Sequence, residues 1–190
     1  TMEKTVRFVP ATPNQVLFSK DNRTLIVDGK PFVAISGYSD VLSEEEVKFY
    51  RCIGVNTFRI NLWGHKTVEQ VLHYMDIVHR YGGKIIYHVD YPAEMDQATL
   101  KAWEKHAEYA LPQKLRNHPA LLAYFLVDEP SDWGLENTYA KVMYAKNYLD
   151  KVDPNHPVYN NNGPNLYMGK YFHQNSMRFG RDASDIFGMD

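Results

Sequence analysis

Short β-rich runs alternate with longer amphipathic stretches along the 190 residues, which predicts an α/β protein whose parallel sheet is covered by helices. Two further observations narrow the class. Runs such as KIIY and LLAYFLV are apolar without alternation, as strands buried on both faces of a parallel sheet are. Polar and aromatic residues gather just after nearly every run: Tyr38, Ser39 and Asp40; Asn61, Trp63 and His65; His88, Asp90 and Tyr91; Asp128 and Glu129; Asn160, Asn161 and Asn162; and Asp190. A (β/α)8 TIM barrel places its active site at that end of its strands. A doubly wound sheet would instead carry a glycine-rich phosphate loop after its first strand, and AISGYSDVLSEEE has none.

The elements follow in order. TLIVDGKPFVAISG reads as two strands joined at Asp28-Gly29, a tight-turn dipeptide, with Phe32 to Ser36 as the first core strand. Residues 1–23 are expected to form an N-terminal extension or linker, and residues 24–190 the barrel domain. Ser43 caps a helix in SEEEVKFYRCIG, whose three glutamates lie in the first turn where the helix dipole favours negative charge, and Gly54 stops it. VNTFRIN is the second strand. In TVEQVLHYMDIVHRYGG, Val68, Val71, Leu72, Met75, Ile77 and Val78 make a broad apolar helix face that ends at Gly82-Gly83.

KIIYHVD is the third strand, and a helix over Thr99 to Arg116 leads into ALLAYFLVDEP as the fourth. A helix over about Glu136 to Lys151 leads into PVYNNNG as the fifth strand, and DIFGMD is the sixth. The chain thus holds about six βα units, fewer than the eight that take about 250 residues in a full barrel. Strands beyond Asp190, or a partner chain pairing with the open sheet edges by self-association or completion, are therefore expected.

Composition excludes several partners. Lys plus Arg at 21 against Asp plus Glu at 23, with no basic run, leaves no electrostatic footprint for nucleic acid. No apolar segment is long enough to cross a membrane, and TMEKTVRF lacks the apolar core of a signal peptide. The one cysteine, Cys52, rules out an internal disulfide or a cysteine-based zinc site, and is expected as a small core residue of its helix.

The abrupt end of LLAYFLVDEP on two acids and a proline calls for an explanation. A carboxyl group at the rim of a sugar-sized cleft suits glycoside hydrolysis, in which one carboxyl protonates the leaving oxygen while another attacks or activates water. Glu129 is the better acid: it closes the most apolar strand, where desolvation raises a carboxyl pKa, and Pro130 stops the strand. Asp128 points the other way on an ideal strand and does not supply the second carboxylate. The plainer alternative is that DEP starts a loop that caps SDWGLENTY.

LAYFLVDEP, GVNTFRIN and the entry hairpin LIVDGKPFVAISG together resemble the clan A glycoside hydrolases, most closely the barrels of β-galactosidase, β-glucuronidase and β-mannosidase type, over about residues 24–190. The resemblance implies a retaining β-glycoside hydrolase without cofactor or metal, acting on an oligo- or polysaccharide, with a secreted or periplasmic setting. It makes Glu129 the acid/base, Arg59 the second-strand arginine that braces the site, and His88 a polar third-strand residue. Asp128 departs from the family's asparagine, since an aspartate accepts a sugar's hydrogen bond but cannot donate one. The nucleophilic glutamate of the family closes a seventh strand and is expected beyond residue 190.

The remaining candidates are substrate contacts. Arg59, between Phe58 and Ile60 in a buried strand, must be paired, with Glu129 or the second carboxylate as the expected partner. Trp63 and Trp133 follow strand ends and could stack on a sugar's C–H face, whereas Trp103 lies at helical spacing and belongs to the core. His88 and Asp90 share one side of their strand and are expected to hydrogen-bond substrate; a metal-dependent hydrolase built on this pair ranks last, because the first strand offers no His-x-His. Asn61, Asn160 and Asn161 can orient sugar hydroxyls with amide donors and acceptors. His73, His79, His106, His118, His156 and His173 fall on helices or loops and are expected at the surface or as caps. A carbohydrate-binding or scaffold barrel without turnover is the alternative to the enzyme.

Overall fold

The computed structural model of the chain describes residues 10–21, 23–36, 43–60, 67–128, 135–162 and 181–189. Strands β1 (Val16–Phe18), β2 (Leu25–Val27) and β3 (Lys30–Phe32) form an antiparallel meander. Its second turn is the expected Asp28-Gly29, with φ of 53° and 74°, the left-handed pair that a two-residue hairpin loop of primed type needs. β1 lies within the stretch expected as an extension.

The second sheet is parallel: β4 (Thr57–Ile60), β5 (Lys84–His88), β6 (Leu121–Asp128), β7 (Val158–Asn162) and β8 (Ile186–Met189) lie side by side in chain order. Ser36 adds one parallel bridge on the β4 side, to Thr57. Phe32 to Ser36 is therefore not the core strand expected: β3 turns back onto β2, and Val33 and Ile35 are 70% and 52% exposed. Their backbone is tied to the sheet through Asn56, whose amide donates to Val33 O and accepts from Ile35 N–H, both at 2.8 Å.

Helices cover one face of this sheet. α1 (Glu44–Cys52) and α2 (Val68–Arg80) each begin with a capping box, Ser43 with Glu46 and Thr67 with Gln70, which satisfies backbone N–H groups left open in a first turn. Cys52 ends α1 on its exposed side instead of in the core, because α1 buries only Val47. The helix expected over Thr99 to Arg116 is two: α3 (Gln97–Ala110), capped by Asp96, and α4 (Gln113–Arg116). Pro112 breaks them, since it lacks an N–H and disfavours helical geometry at the preceding Leu111, which sits at φ −118° and ψ 51°. α5 (Leu135–Val152) matches the last expected helix.

The core lies between sheet and helices, where Phe58, Ile60, Ile85, Tyr87, Tyr124 and Val158 meet Val71, Met75 and Val78 of α2 and Val142, Ala145 and Leu149 of α5. Trp103 joins it edge-on to Tyr144 and Tyr148, as helical spacing predicts. At about 1.5–3 kcal/mol for each large apolar side chain, this layer dominates stability. Packing is tight where α2 returns into β5: a methyl group on Gly83 would lie 2.8 Å from Val78 Cγ1 and 3.1 Å from the Phe58 ring. Gly83→Ala is expected to lower stability by about 1–3 kcal/mol, read as a lower urea midpoint at constant slope. A loss under about 0.5 kcal/mol would mean that the α2 end shifts freely.

The meander is moored beneath the N-terminal ends of β5, β6 and β7. Val16 N–H donates to Asn155 O at 2.9 Å, Asn14 Nδ2 donates to Arg116 O and His118 O at 2.8 and 3.0 Å, and Lys84 Nζ reaches Asp28 Oδ2 and Pro119 O at 3.0 and 2.9 Å. Val16 and Val27 pack on Leu122 and Ala123. This covering corrects the placement of two histidines. His118 and His156 are buried, His156 between Asp153 Oδ2 at 2.9 Å and Asn14 O at 3.1 Å, while His73, His79 and His106 are exposed as expected. His173 lies outside the described residues.

Candidate active site

The far face of the sheet, away from the helices, is set by strand register. β6 carries two irregularities, one opposite Ile85/Ile86 and one between Phe125 and Val127. Each adds a residue to β6, and an odd shift exchanges the faces on which side chains emerge. Phe125 pairs with Tyr159 and Asp128 with Asn161, so that Phe125 and Asp128, three apart, line the same cavity.

That cavity holds about 380 Å3. Its apolar end is made by Leu25, Ile86, Leu122 and Ala123, toward the strand starts and the meander. Arg59, Asp128, Tyr159 and Asn161 line its polar end, toward the strand ends. Phe125, 2% exposed, is the shared support: the Arg59 guanidinium lies 5.3 Å above its ring, the His88 ring meets it edge-on at 4.9 Å, and the Tyr159 ring lies 5.4 Å away. A cation over an aromatic face is stabilised by the ring quadrupole, which holds Arg59 at the cavity wall. Asn161 Nδ2 donates to Asp128 Oδ1 at 3.1 Å, and Tyr159 Oη donates to Asn161 Oδ1 at 3.2 Å.

Of the residues expected here, Arg59, Asp128 and Asn161 come together at the cavity. His88 stands beside them on β5, touching Phe125, with its Nε2 3.9 Å from Asp90 Oδ1, too far for a hydrogen bond. Asp90 lies past the end of β5 with a half-exposed side chain. Asn160 is removed from the site: adjacent to Asn161 on β7, it faces the other side of the sheet, where it is fully buried and its Nδ2 donates to Ala183 O at 2.6 Å. Glu129, Asn61, Trp63 and Trp133 lie outside the described residues. Among the described residues, no three His, Cys, Asp or Glu side chains converge on a metal position, and no helix is long and apolar enough to cross a membrane.

Sequence reasoning missed Tyr159 and Phe125. Tyr159 had a signal, standing two residues before Asn161 and so on its face of β7. Phe125 had none, because ideal alternation puts it opposite Asp128 and only the bulge brings both to one side.

No family model matches the sequence, and no curated protein is similar to it. Solved structures do match. The chain is similar to a glycosyl hydrolase family 2 member from Bacteroides cellulosilyticus, 15% identical with a TM-score of 0.64 over 93% of this chain and 24% of that one. Its structural neighbours are glycoside hydrolases. They include an FMN-binding β-glucuronidase from Facaelibacterium prausnitzii, 12% identical, TM-score 0.63, over 93% of this chain and 27% of that one. An endo-1,4-β-mannanase from Eisenia fetida is 11% identical, TM-score 0.56, over 92% of this chain and 72% of that one. At these identities the likeness is one of fold, and the chain spans about a quarter of the length of the first two relatives.

Proposed function

We propose that this chain is part of a (β/α)8 barrel of a retaining β-glycoside hydrolase, and that the C-terminal ends of its strands hold an oligo- or polysaccharide. The carrying observation is the convergence of Arg59 from β4, Asp128 from β6 and Asn161 from β7 on one cavity of the parallel sheet, in a fold shared with glycoside hydrolases. Strand order supports the barrel: β4 to β8 follow the chain without the reversal that defines a doubly wound sheet. Further strands pair with the two sheet edges and fill the apolar end of the cavity, as the interior of a barrel is filled.

In the reaction, Glu129, one residue past the end of β6, gives its proton to the glycosidic oxygen as the bond from that oxygen to C1 breaks. A second carboxylate, on a strand beyond residue 190, attacks C1 and forms a glycosyl ester. Glu129, now a carboxylate, then takes a proton from water as its oxygen attacks C1 and releases the second carboxylate. Arg59, Asp128 and Asn161 orient the sugar and hold charge near the reacting carbon.

The test is Glu129→Gln in the catalytically complete protein. Turnover of glycosides with poor leaving groups is expected to fall by about 10²–10⁴, with much less loss in glycosylation by aryl glycosides whose leaving group needs no proton. Equal losses on both would remove Glu129 from the acid role. Oligosaccharide binding without any turnover would move the chain to the binding class.

A further inference from the structure

Asp128, Asn161 and Tyr159 form a hydrogen-bonded chain with one consistent direction. A carboxylate has no proton to give, so the Asn161 atom 3.1 Å from Asp128 Oδ1 is the amide nitrogen. The amide oxygen then faces Tyr159, whose hydroxyl, 3.2 Å away, donates to it. Tyr159 and Asn161 stand two apart on β7, and Asn161 lies opposite Asp128 in the β6–β7 register, so the sheet itself builds the chain. Asn161 is 8% exposed and Tyr159 is set against Phe125, whereas Asp128 is exposed and lines the cavity.

We propose that Tyr159 and Asn161 are positioning residues that hold Asp128 as a hydrogen-bond acceptor toward the cavity, so that the site selects a sugar through a hydroxyl that donates. The proposal deepens the glycoside-binding role given to this cavity and depends on it. A flipped Asn161 would turn its oxygen on the carboxylate and repel it. Donation by Tyr159 opposes that flip by giving the amide oxygen its own partner. The Asp128 carboxylate therefore keeps one orientation, and a ligand group that only accepts hydrogen bonds meets an acceptor there.

NMR of the ¹⁵N-labelled chain tests this in two steps. Without ligand, Tyr159→Phe is expected to shift the Asn161 side-chain amide signals and to raise their solvent exchange on the order of tenfold, with the backbone spectrum retained. Asp128→Ala, at an exposed position, is expected to shift the same signals. Unchanged Asn161 signals in Tyr159→Phe overturn the positioning role whatever the cavity binds.

The second step titrates the chain with methyl β-D-glucoside, galactoside and mannoside and their monodeoxyfluoro analogues, since fluorine cannot donate. At one ring position the exchange of hydroxyl for fluorine is expected to weaken binding on the order of tenfold in the parent chain, and only about two- to threefold in Tyr159→Phe. An equal loss in both overturns selection by the chain. No glycoside-induced shift at the strand ends in any protein overturns the carbohydrate role instead, and the Asn161 signals still decide the positioning role.

Discussion

Asp153→Ala is expected to lower folding stability by about 3–5 kcal/mol, a large share of the about 5–15 kcal/mol that holds a domain folded. Asp153, 5% exposed, accepts from Tyr124 Oη at 2.5 Å and pairs with His156 Nδ1 at 2.9 Å, and neither partner side chain reaches solvent. Its removal leaves a buried phenol and a buried imidazole without their acceptor, and loosens the contact of His156 with Asn14 that moors the meander. Urea unfolding followed by circular dichroism measures the loss. Less than about 1 kcal/mol would mean that the two rings find other acceptors at little cost.

The same cluster gives a pH dependence. Burial alone would raise the Asp153 carboxyl, but the hydrogen bond and charge of His156, together with hydrogen bonds from Tyr124 and the Asn155 N–H, outweigh it and hold the carboxyl below its ordinary value of 3.8. The native state therefore binds fewer protons there than the unfolded chain, and this stability is present above 3.8 and lost as pH falls through the native value. His118 is held below its ordinary 6.5, first by burial, against the opposing hydrogen bond that its ring donates to Asp76, so stability also declines as pH falls below 6.5. The urea midpoint is expected to fall from pH 7 toward pH 4, then more steeply below 3.8, and Asp153→Asn is expected to flatten only the second part. An unchanged steep limb in that variant would assign it to other carboxyl groups.

Phe125→Ala is expected to cost about 3–5 kcal/mol, because it empties a 2% exposed position near the middle of the longest strand described. The effect on the site should exceed that on the fold. Arg59 loses the ring beneath its guanidinium, and His88 and Tyr159 lose the ring against which they are set. Phe125→Leu keeps most of the apolar volume without the aromatic face, so it is expected to cost under about 1.5 kcal/mol while still freeing Arg59. Comparing the two by urea unfolding and by the Arg59 Nε–Hε NMR signal separates packing from site support. An Arg59 signal unmoved in both would show that the guanidinium is held by other contacts.

The parts of the fold visible in the sequence are those governed by neighbours along the chain. Ser43 with Glu46, Thr67 with Gln70 and Asp28 with Gly29 are contacts over one to three residues, and each forms as its residue types dictate. The unbroken apolar run of β6 predicts burial on both faces, and Leu121 to Val127 are all buried. KIIY was less informative. Ile85 and Tyr87 are buried against helices, but Ile86 is only partly covered, because it looks onto the cavity. The break at Pro112 could have been foreseen from proline chemistry, which the helical spacing on either side obscured.

The sequence by itself determined the alternation of strands and helices, their caps and turns, and the gathering of Arg59, His88, Asp128 and Asn161 near strand ends, since these depend on local periodicity and residue chemistry. Only the tertiary structure decided which side chains share the cavity. The bulge in β6 places Phe125 and Asp128 on one face, the pleat of β7 keeps Asn161 and rejects Asn160, and the meander encloses His156 across a separation of 142 residues from Asn14. Strand register and long-range covering arise from contacts between segments distant in the chain, and a one-residue shift between paired strands reverses which faces meet.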